Sequence, residues 1–251
     1  MQAASNLPPG FHLLALDAVD STNDEARRLA ETGAPDRTLV WAASQSGGRG
    51  RHGRQWQSPP GNCYSSLLLR PAVPPAAAAQ ISFVTALALA EAVTLLLPAG
   101  RKVSCKWPND VLVDGAKISG ILLESRMTRP GRVDWLIVGA GINVAHHPAE
   151  SDYPVTSLHA AGGSATVEQT LATYVARLET WLGRWHRDGF AAVRQAWLDR
   201  ADGLGQAVRV RLPDRTLNGV FEALDESGAL VLLDSDGSRR AIAAGDVYRA
   251  A

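Results

Sequence analysis

Apolar residues recur along this chain at two spacings, and the change between them divides it. Residues 22–33 open on a Thr22/Glu25 pair with capping-box spacing and close on Gly33, which predicts a short helix. Residues 39–43 and 64–69 are short apolar runs bounded by turn residues and read as strands. Residues 76–99, ended by Pro98, are apolar over about the length a bilayer requires. Gln80, Ser82, Thr85, Glu91 and Thr94 interrupt that stretch, and neither a basic flank nor an aromatic belt frames it, so a buried core helix is expected. Residues 103–106, 111–113, 118–124 and 133–138 follow as strands separated by Pro108, Asp114-Gly115 and Pro130-Gly131, which predicts a mixed sheet with hairpins. From Val167 to Leu198 the spacing becomes helical, through Leu171, Val175, Leu178, Leu182, Trp185, Phe190, Val193 and Trp197, and these helices should cover one face of the sheet.

After Asp202-Gly203 the pattern changes to short strands at 208–212, 219–224, 230–233, 240–243 and 247–248. Five short strands in so few residues predict a small SH3-like β-barrel. The expected fold class is therefore α+β: a mixed sheet covered by helices over residues 1–202, then a C-terminal barrel over 203–251.

Composition narrows the partners. The chain has 251 residues, 46% hydrophobic and 20% charged, which is ordinary globular usage and excludes disordered, collagen-like and coiled-coil classes. Lys plus Arg (25) equals Asp plus Glu (25), so no global positive field attracts a nucleic-acid backbone. Two cysteines, Cys63 and Cys105, make neither a disulfide framework nor a metal-ligand spacing. Residues 1–10 lack the features of a secretory signal, and a cytoplasmic protein with no membrane partner is expected.

Candidate chemistry lies in three segments. Gly48-Arg49-Gly50-Arg51-His52-Gly53 matches a dinucleotide-binding pattern in form, but Pro59-Pro60-Gly61 follows where a helix should open, and no acidic residue stands about 20 positions on. Its arginines are more informative. Glycines permit close backbone approach, and Arg49, Arg51 and Arg54 suit paired hydrogen bonds to carboxylate or phosphate oxygens, so the loop reads as a mobile anion clamp or, standing alone, a solvated surface loop. Lys106-Trp107-Pro108-Asn109-Asp110, with Lys117 and Gly120 beyond, gathers both charge signs around a turn. Asp110 suits a magnesium ligand or a base, and Lys117 suits charge neutralisation; taken singly, a capped turn and a solvated lysine are the plainer readings. Gly139 to Val144 ends an apolar strand with small residues and one amide, Asn143, as a ligand approached by backbone or a strand-end bulge would need. His146 and His147 are adjacent, diverge, and make no metal pair.

In order, spacing and identity these segments resemble the motifs of the biotin protein ligases: Asp20-Ser21-Thr22-Asn23, Gln45, the 48–56 loop, 106–110, 117–124 and 139–144. The resemblance spans nearly the whole chain. It implies a class II synthetase-like catalytic domain with a small SH3-like domain. It implies ATP and biotin as substrates, joined as biotinoyl-5'-adenylate with release of pyrophosphate. Biotin then passes to a lysine of a biotin carboxyl carrier protein, a subunit of acetyl-CoA carboxylase or another biotin-dependent carboxylase. By the same resemblance Ser21, Thr22, Asn23, Gln45, Arg49, Gly50, Arg51, Lys117 and Gly120 lie at biotin. Arg51, Arg54, Trp56, Lys106, Asn109, Lys117 and Asn143 lie toward ATP or the adenylate. Arg51, Lys117 and Asp110 are the catalytic candidates, with Mg2+ at Asp110 unless that carboxylate serves as base for the acceptor lysine. The glycine-rich loop is the expected lid over a reactive mixed anhydride, with Arg51 retaining it. Asp20 begins its motif about 20 residues in, which leaves no room for the helix-turn-helix domain of some family members, so no DNA partner is expected. A homodimer through the sheet is expected. The rivals are a lipoate ligase and a non-catalytic module sensing biotin or its adenylate; the arginine loop, Lys106 to Asp110 and Lys117 favour the biotin ligase.

Overall fold

A computed structural model describes residues 7–127 and 131–249; the expected turn residue Pro130 lies outside them. The first half builds β1 (His12–Leu16), α1 (Thr22–Glu31), β2 (Thr38–Ala42), β3 (Cys63–Leu69), α2 (Pro75–Ala79) and α3 (Ile81–Leu96). It continues through β4 (Val103–Lys106), β5 (Asp110–Val113), β6 (Ala116–Arg126), β7 (Trp135–Ile142) and α4 (Val167–Leu198). The strands form one sheet in the order β1-β2-β3-β7-β6-β5-β4, parallel between β1 and β2 and antiparallel elsewhere. This is the mixed, hairpin-rich sheet that the sequence predicts.

Four local expectations change. β1 is an additional strand: the run His12–Leu16 is only half-buried at the sheet edge and carries no alternating pattern to mark it. Ser21, not Thr22, caps α1, accepting from the Asp24 amide at 3.4 Å; the Thr22 hydroxyl is instead directed at Gln45 Oε1, 3.0 Å away. The apolar segment is broken at Gln80 into α2 and α3, and α3 is buried on nearly every side, as a core helix should be. Finally, β7 runs through Gly139, Ala140 and Gly141 to Ile142, so these small residues lie inside a strand and are not its end.

The two faces of the sheet are packed differently. Leu39, Leu67, Val138, Ala140, Ile121 and Ile142 join the large core formed with α3 and α4. Val40, Leu68, Ile137 and Trp135 point the other way, onto Ala26 and Ala30 of α1. Because α1 is ten residues long, it covers only part of that face. Over the remainder, cross-strand pairing lines up Ala42, Tyr64, Gly141, Gly120, Asp110 and Lys106 in one row through β2, β3, β7, β6, β5 and β4.

The C-terminal part forms β8 (Ala207–Arg211), β9 (Thr216–Leu224), β10 (Leu230–Leu233), β11 (Arg239–Ile242) and β12 (Asp246–Arg249), antiparallel in the order β11-β10-β9-β8-β12, an SH3-like sheet. Alternate residues Val208, Val210, Phe221, Leu230, Leu232 and Val247 turn inward. The small sheet is docked on the large one: Trp107 Nε1 donates to the Gly228 carbonyl at 3.1 Å, and Trp197 packs between Phe83 and Phe221. The segment after α4 also bonds the outer edge of β4, through Cys105 N to Arg200 O and Asp202 N to Cys105 O, both 2.8 Å.

Candidate active site

Polar groups gather where the row of paired residues lacks side chains. Built on Gly139, a Cβ would lie 2.3 Å from Asn23 Oδ1; on Gly141 it would lie 2.6 Å from the Trp56 ring. Only glycine lets those two side chains lie on the strand backbone. Trp56 thus lies over Gly141 and Gly120, and the Lys117 ammonium stands 5.4 Å from its ring centre.

One end of the cavity is neutral and polar. Gln45 Oε1 faces both the Thr22 amide (2.8 Å) and hydroxyl, while Gln45 Nε2 donates to Ser58 Oγ at 2.9 Å. Ser66 Oγ lies 2.6 Å from Asn23 Oδ1, and Asn23 Nδ2 donates to Glu124 Oε2 at 2.7 Å. Ser21, Thr22, Asn23 and Ser66 are all buried, so this hydroxyl and amide lining is fixed by its own bonds. Tyr64 closes the floor; its hydroxyl donates to Pro59 O at 2.8 Å, and burial pushes its pKa up to about 12, so it stays neutral.

The other end is cationic. Arg49, Arg51, Arg54 and Lys117 line the cavity against two carboxylates, Asp110 and Asp246. Residues 51–53 make one 3-10 turn with His52 at φ 56° and Gly53 at φ 71°, which folds the loop back so that the Gly50 amide donates to Arg54 O at 2.7 Å. Arg49 Nη2 donates to Asp24 Oδ1 at 3.0 Å and Glu124 Oε1 at 3.2 Å. Arg51 Nη1 donates to Asn109 Oδ1 and to the Gly245 carbonyl, each at 3.3 Å; desolvation lowers its pKa, with the charges of Asp246 and Asp110 opposing. Arg54 bonds the Asp246 carboxylate; burial works against its charge, but the Asp246 bond outweighs this and the guanidinium pKa rises.

Asp110 and Lys117 are held together by the register of β5 against β6, their Oδ1 and Nζ 2.7 Å apart. The contact is one of charge: Asp110 Oδ1 is buried without a hydrogen bond of good geometry. Lys117 therefore stands where a cation on that oxygen would stand, and the described residues contain no cluster of three or more His, Cys, Asp or Glu. One carboxylate already facing an ammonium is no open metal cage by itself, while magnesium needs only one or two protein carboxylates beside nucleotide phosphates. The engagement of Asp110 with Lys117 weighs against that carboxylate as a free base.

Most sequence candidates meet here: Ser21, Thr22, Asn23, Gln45, Arg49, Gly50, Arg51, Arg54, Trp56, Asn109, Asp110, Lys117 and Gly120 line a single cavity. Asn143 and Lys106 do not. Asn143 is buried beside an adjoining pocket, its amide donating to Thr156 O at 2.9 Å. Lys106 lines another, its ammonium 5.8 Å from the Tyr153 ring centre and 5.3 Å from that of Tyr248; burial lowers its pKa, with Asp110 opposing. Sequence reasoning missed Tyr64, Ser66, Glu124, Tyr153 and Asp246. Two polar residues inside the buried strand Cys63–Leu69 are a signal for Ser65 and Ser66. Tyr153 reaches Lys117 because Lys117 N bonds Pro154 O (2.8 Å) and Thr156 N bonds Lys117 O (2.9 Å).

Residues 15–143 match the model of the biotin/lipoate A/B protein ligase family, and residues 203–249 match that of the biotin protein ligase C-terminal domain. Among curated proteins, the biotin–acetyl-CoA-carboxylase ligase of Paracoccus denitrificans is 40% identical, over 93% of this chain and 98% of that protein. The bifunctional ligase/repressor BirA of Bacillus subtilis is 33% identical, over 92% of this chain and 72% of that protein. Among solved structures, the biotin protein ligase of Aquifex aeolicus in complex with biotin and ATP superposes with a TM-score of 0.80 at 30% identity, covering 95% of this chain and 99% of that one.

Proposed function

The chain belongs to the biotin/lipoate A/B protein ligase family, and on that premise we propose how it works as an ATP-dependent biotin protein ligase acting on a biotin carboxyl carrier protein. The observation that carries the reading is the joining, over one glycine row, of a neutral hydroxyl and amide recess to a cluster of four cations.

We assign the recess of Ser21, Thr22, Asn23 and Gln45 to the cyclic urea of biotin, whose N–H and C=O groups need uncharged partners. The acid's carboxylate then points toward Lys117 and the loop arginines. In the first half-reaction a carboxylate oxygen bonds to the α-phosphorus of ATP as the bond to the β-phosphate oxygen breaks, and pyrophosphate leaves. Two anions must approach one another, so the work of Arg49, Arg51 and Lys117 is to offset their charge in a site that needs no reorganisation. Asp110 holds the Lys117 ammonium over Trp56, and Lys106 carries positive charge on the side away from the recess. Magnesium, when present, neutralises nucleotide phosphates; we assign it to the nucleotide.

In the second half-reaction the carrier lysine amine attacks the acyl carbon, an amide forms, AMP leaves with the C–O bond electrons, and the amine loses its proton. The arginine loop and Tyr153 cover the mixed anhydride until that amine arrives. We place the domain boundary at Asp202/Gly203. Edge strand β1 suits edge-to-edge pairing in a homodimer. With α3 buried and no net charge, neither membrane nor DNA is a proposed partner, and two buried free thiols fit a cytoplasmic setting.

The test is incubation with α-labelled ATP and either biotin or lipoate, followed by carrier protein. Labelled acyl-adenylate with biotin, discharged on carrier addition, is the expected result. Adenylation of lipoate alone overturns the assignment, and binding without turnover would make the protein a sensor.

A further inference from the structure

One lining residue of the cavity comes from the C-terminal sheet: Asp246, at the start of β12. Its carboxylate accepts from Arg54 Nη2 and stands 3.9 Å from Arg51 Nη1, which also donates to the preceding carbonyl, Gly245 O. On its outer side Arg211 Nη2 approaches Asp246 Oδ2 to 3.4 Å, while bonding the Tyr248 hydroxyl at 2.6 Å. Gly245 lets its turn pack closely on the end of β8: a Cβ there would lie 3.1 Å from Arg211 O, Leu212 Cδ2 and Val210 Cγ1. The loop it reaches has little else to hold its tip. His52 and Gly53, both left-handed, and Arg51 pack no apolar side chain into the core, and none of the three is buried.

We propose that Asp246 is a positioning residue: through Arg51 and Arg54 it ties the arginine loop down over the cavity, so that the C-terminal sheet keeps the acyl-adenylate from escaping. The geometry explains why a barrel with no strand in the large sheet contributes to the reaction. Asp246 is only 18% exposed on its side chain, shielded enough for the contact to be effective. Burial raises its pKa, but the Arg54 bond and charge overcome this, so the carboxylate stays ionised and two guanidiniums stay oriented. Loss of that carboxylate leaves both arginines in place in the sequence but frees them to swing into solvent. Adenylate formation then slows, because Arg51 also offsets charge in that step, and a larger share of the adenylate that does form escapes. A residue that merely stabilises the barrel would alter neither balance.

This rests on the reading that the loop covers an acyl-adenylate, so the experiment has one readout independent of it. The full-length ligand-free protein and its Asp246→Ala, Asp246→Asn and Asp246→Glu variants are digested with trypsin, which cuts after Arg51 and Arg54 only when the loop opens. The rate of acyl-adenylate escape to hydroxylamine is then measured per adenylate formed. Asp236→Ala, in a distant barrel turn bonded only to Ser238, is the control. Loop cleavage roughly tenfold faster in the Ala and Asn variants, with Glu close to the parent and more escape per turnover, is the expected result. Cleavage unchanged in Asp246→Ala, or matched by Asp236→Ala, overturns the proposal. If the parent protein forms no acyl-adenylate, the functional reading fails, and the cleavage rates still decide the latch.

Discussion

The two faces of the seven-stranded sheet share a backbone and differ in what stands on it. On one face Leu39, Leu67, Val138, Ile121 and Ile142 meet α3 and α4 in a continuous core. On the other, glycines at 120, 139 and 141 leave the strands bare, and Asn23 of α1 and Trp56 lie directly on the backbone. Large side chains exclude water and supply stability; their omission creates a concavity whose polar groups are held by neighbouring strands. The lesson is that stability and chemistry are separated here by which way a strand residue points, with a spacing of one residue between them.

That separation is open to attack from each side. The largest effect is expected from Lys117→Ala: adenylation, followed by pyrophosphate exchange, should fall by about a thousandfold because one preorganised cation opposite the developing charge is lost, while the melting temperature drops only by what the unpaired Asp110 carboxylate costs. A melting loss of the kind expected of a core residue would break the comparison. Leu87→Ala on α3, fully buried, should do the reverse, costing roughly 2 to 5 kcal/mol in denaturant unfolding while KM for biotin and ATP stays constant. Gly139→Ala sharpens it further. A methyl group 2.3 Å from Asn23 Oδ1 must displace that amide, so KM for biotin should rise about tenfold, more than kcat falls.

The smallest effect concerns acid. The Asp20 carboxyl is held at about 2, below its ordinary 3.8, chiefly by its hydrogen bond from Arg28. A depressed pKa stabilises the fold above about pH 4 and loses that contribution as pH falls through about 2. Asp20→Asn should therefore lower stability near neutrality by at most roughly 1 kcal/mol, as an exposed pair allows, and converge on the parent near pH 2. A gap that persists in acid would refute the assignment.

How far the sequence speaks depends on the range of the forces involved. Hairpin turns, the helical spacing of residues 167–198 and the later short strands are set within a few residues and were legible. So was the site wherever residues of one motif share a turn, as Asn109 and Asp110 do; the serines inside the buried strand Cys63–Leu69 were a signal that went unread. β1 was hidden because an edge strand, half-buried, has no clean alternation. Gly139 to Ile142 reads as a strand end because small residues weaken strands; pairing with both β3 and β6 overrides that weakness. Asp246 and Tyr153 left no local mark at all. They reach the cavity through the docking of a separate sheet and through backbone bonds to Lys117, contacts between residues dozens of positions apart.

Bonds from Arg200 and Asp202 to the outer edge of β4 have a consequence for the molecule as a material object. The large sheet ends on that side in the very segment that leads to the barrel, so the connector serves as an eighth strand of two hydrogen bonds. Pulling the two parts away from each other must unzip the sheet from its Lys106 side before any hinge can open. Heat should therefore melt both sheets in one cooperative transition, and a cut in the connector should cost the catalytic half its edge as well as its cover.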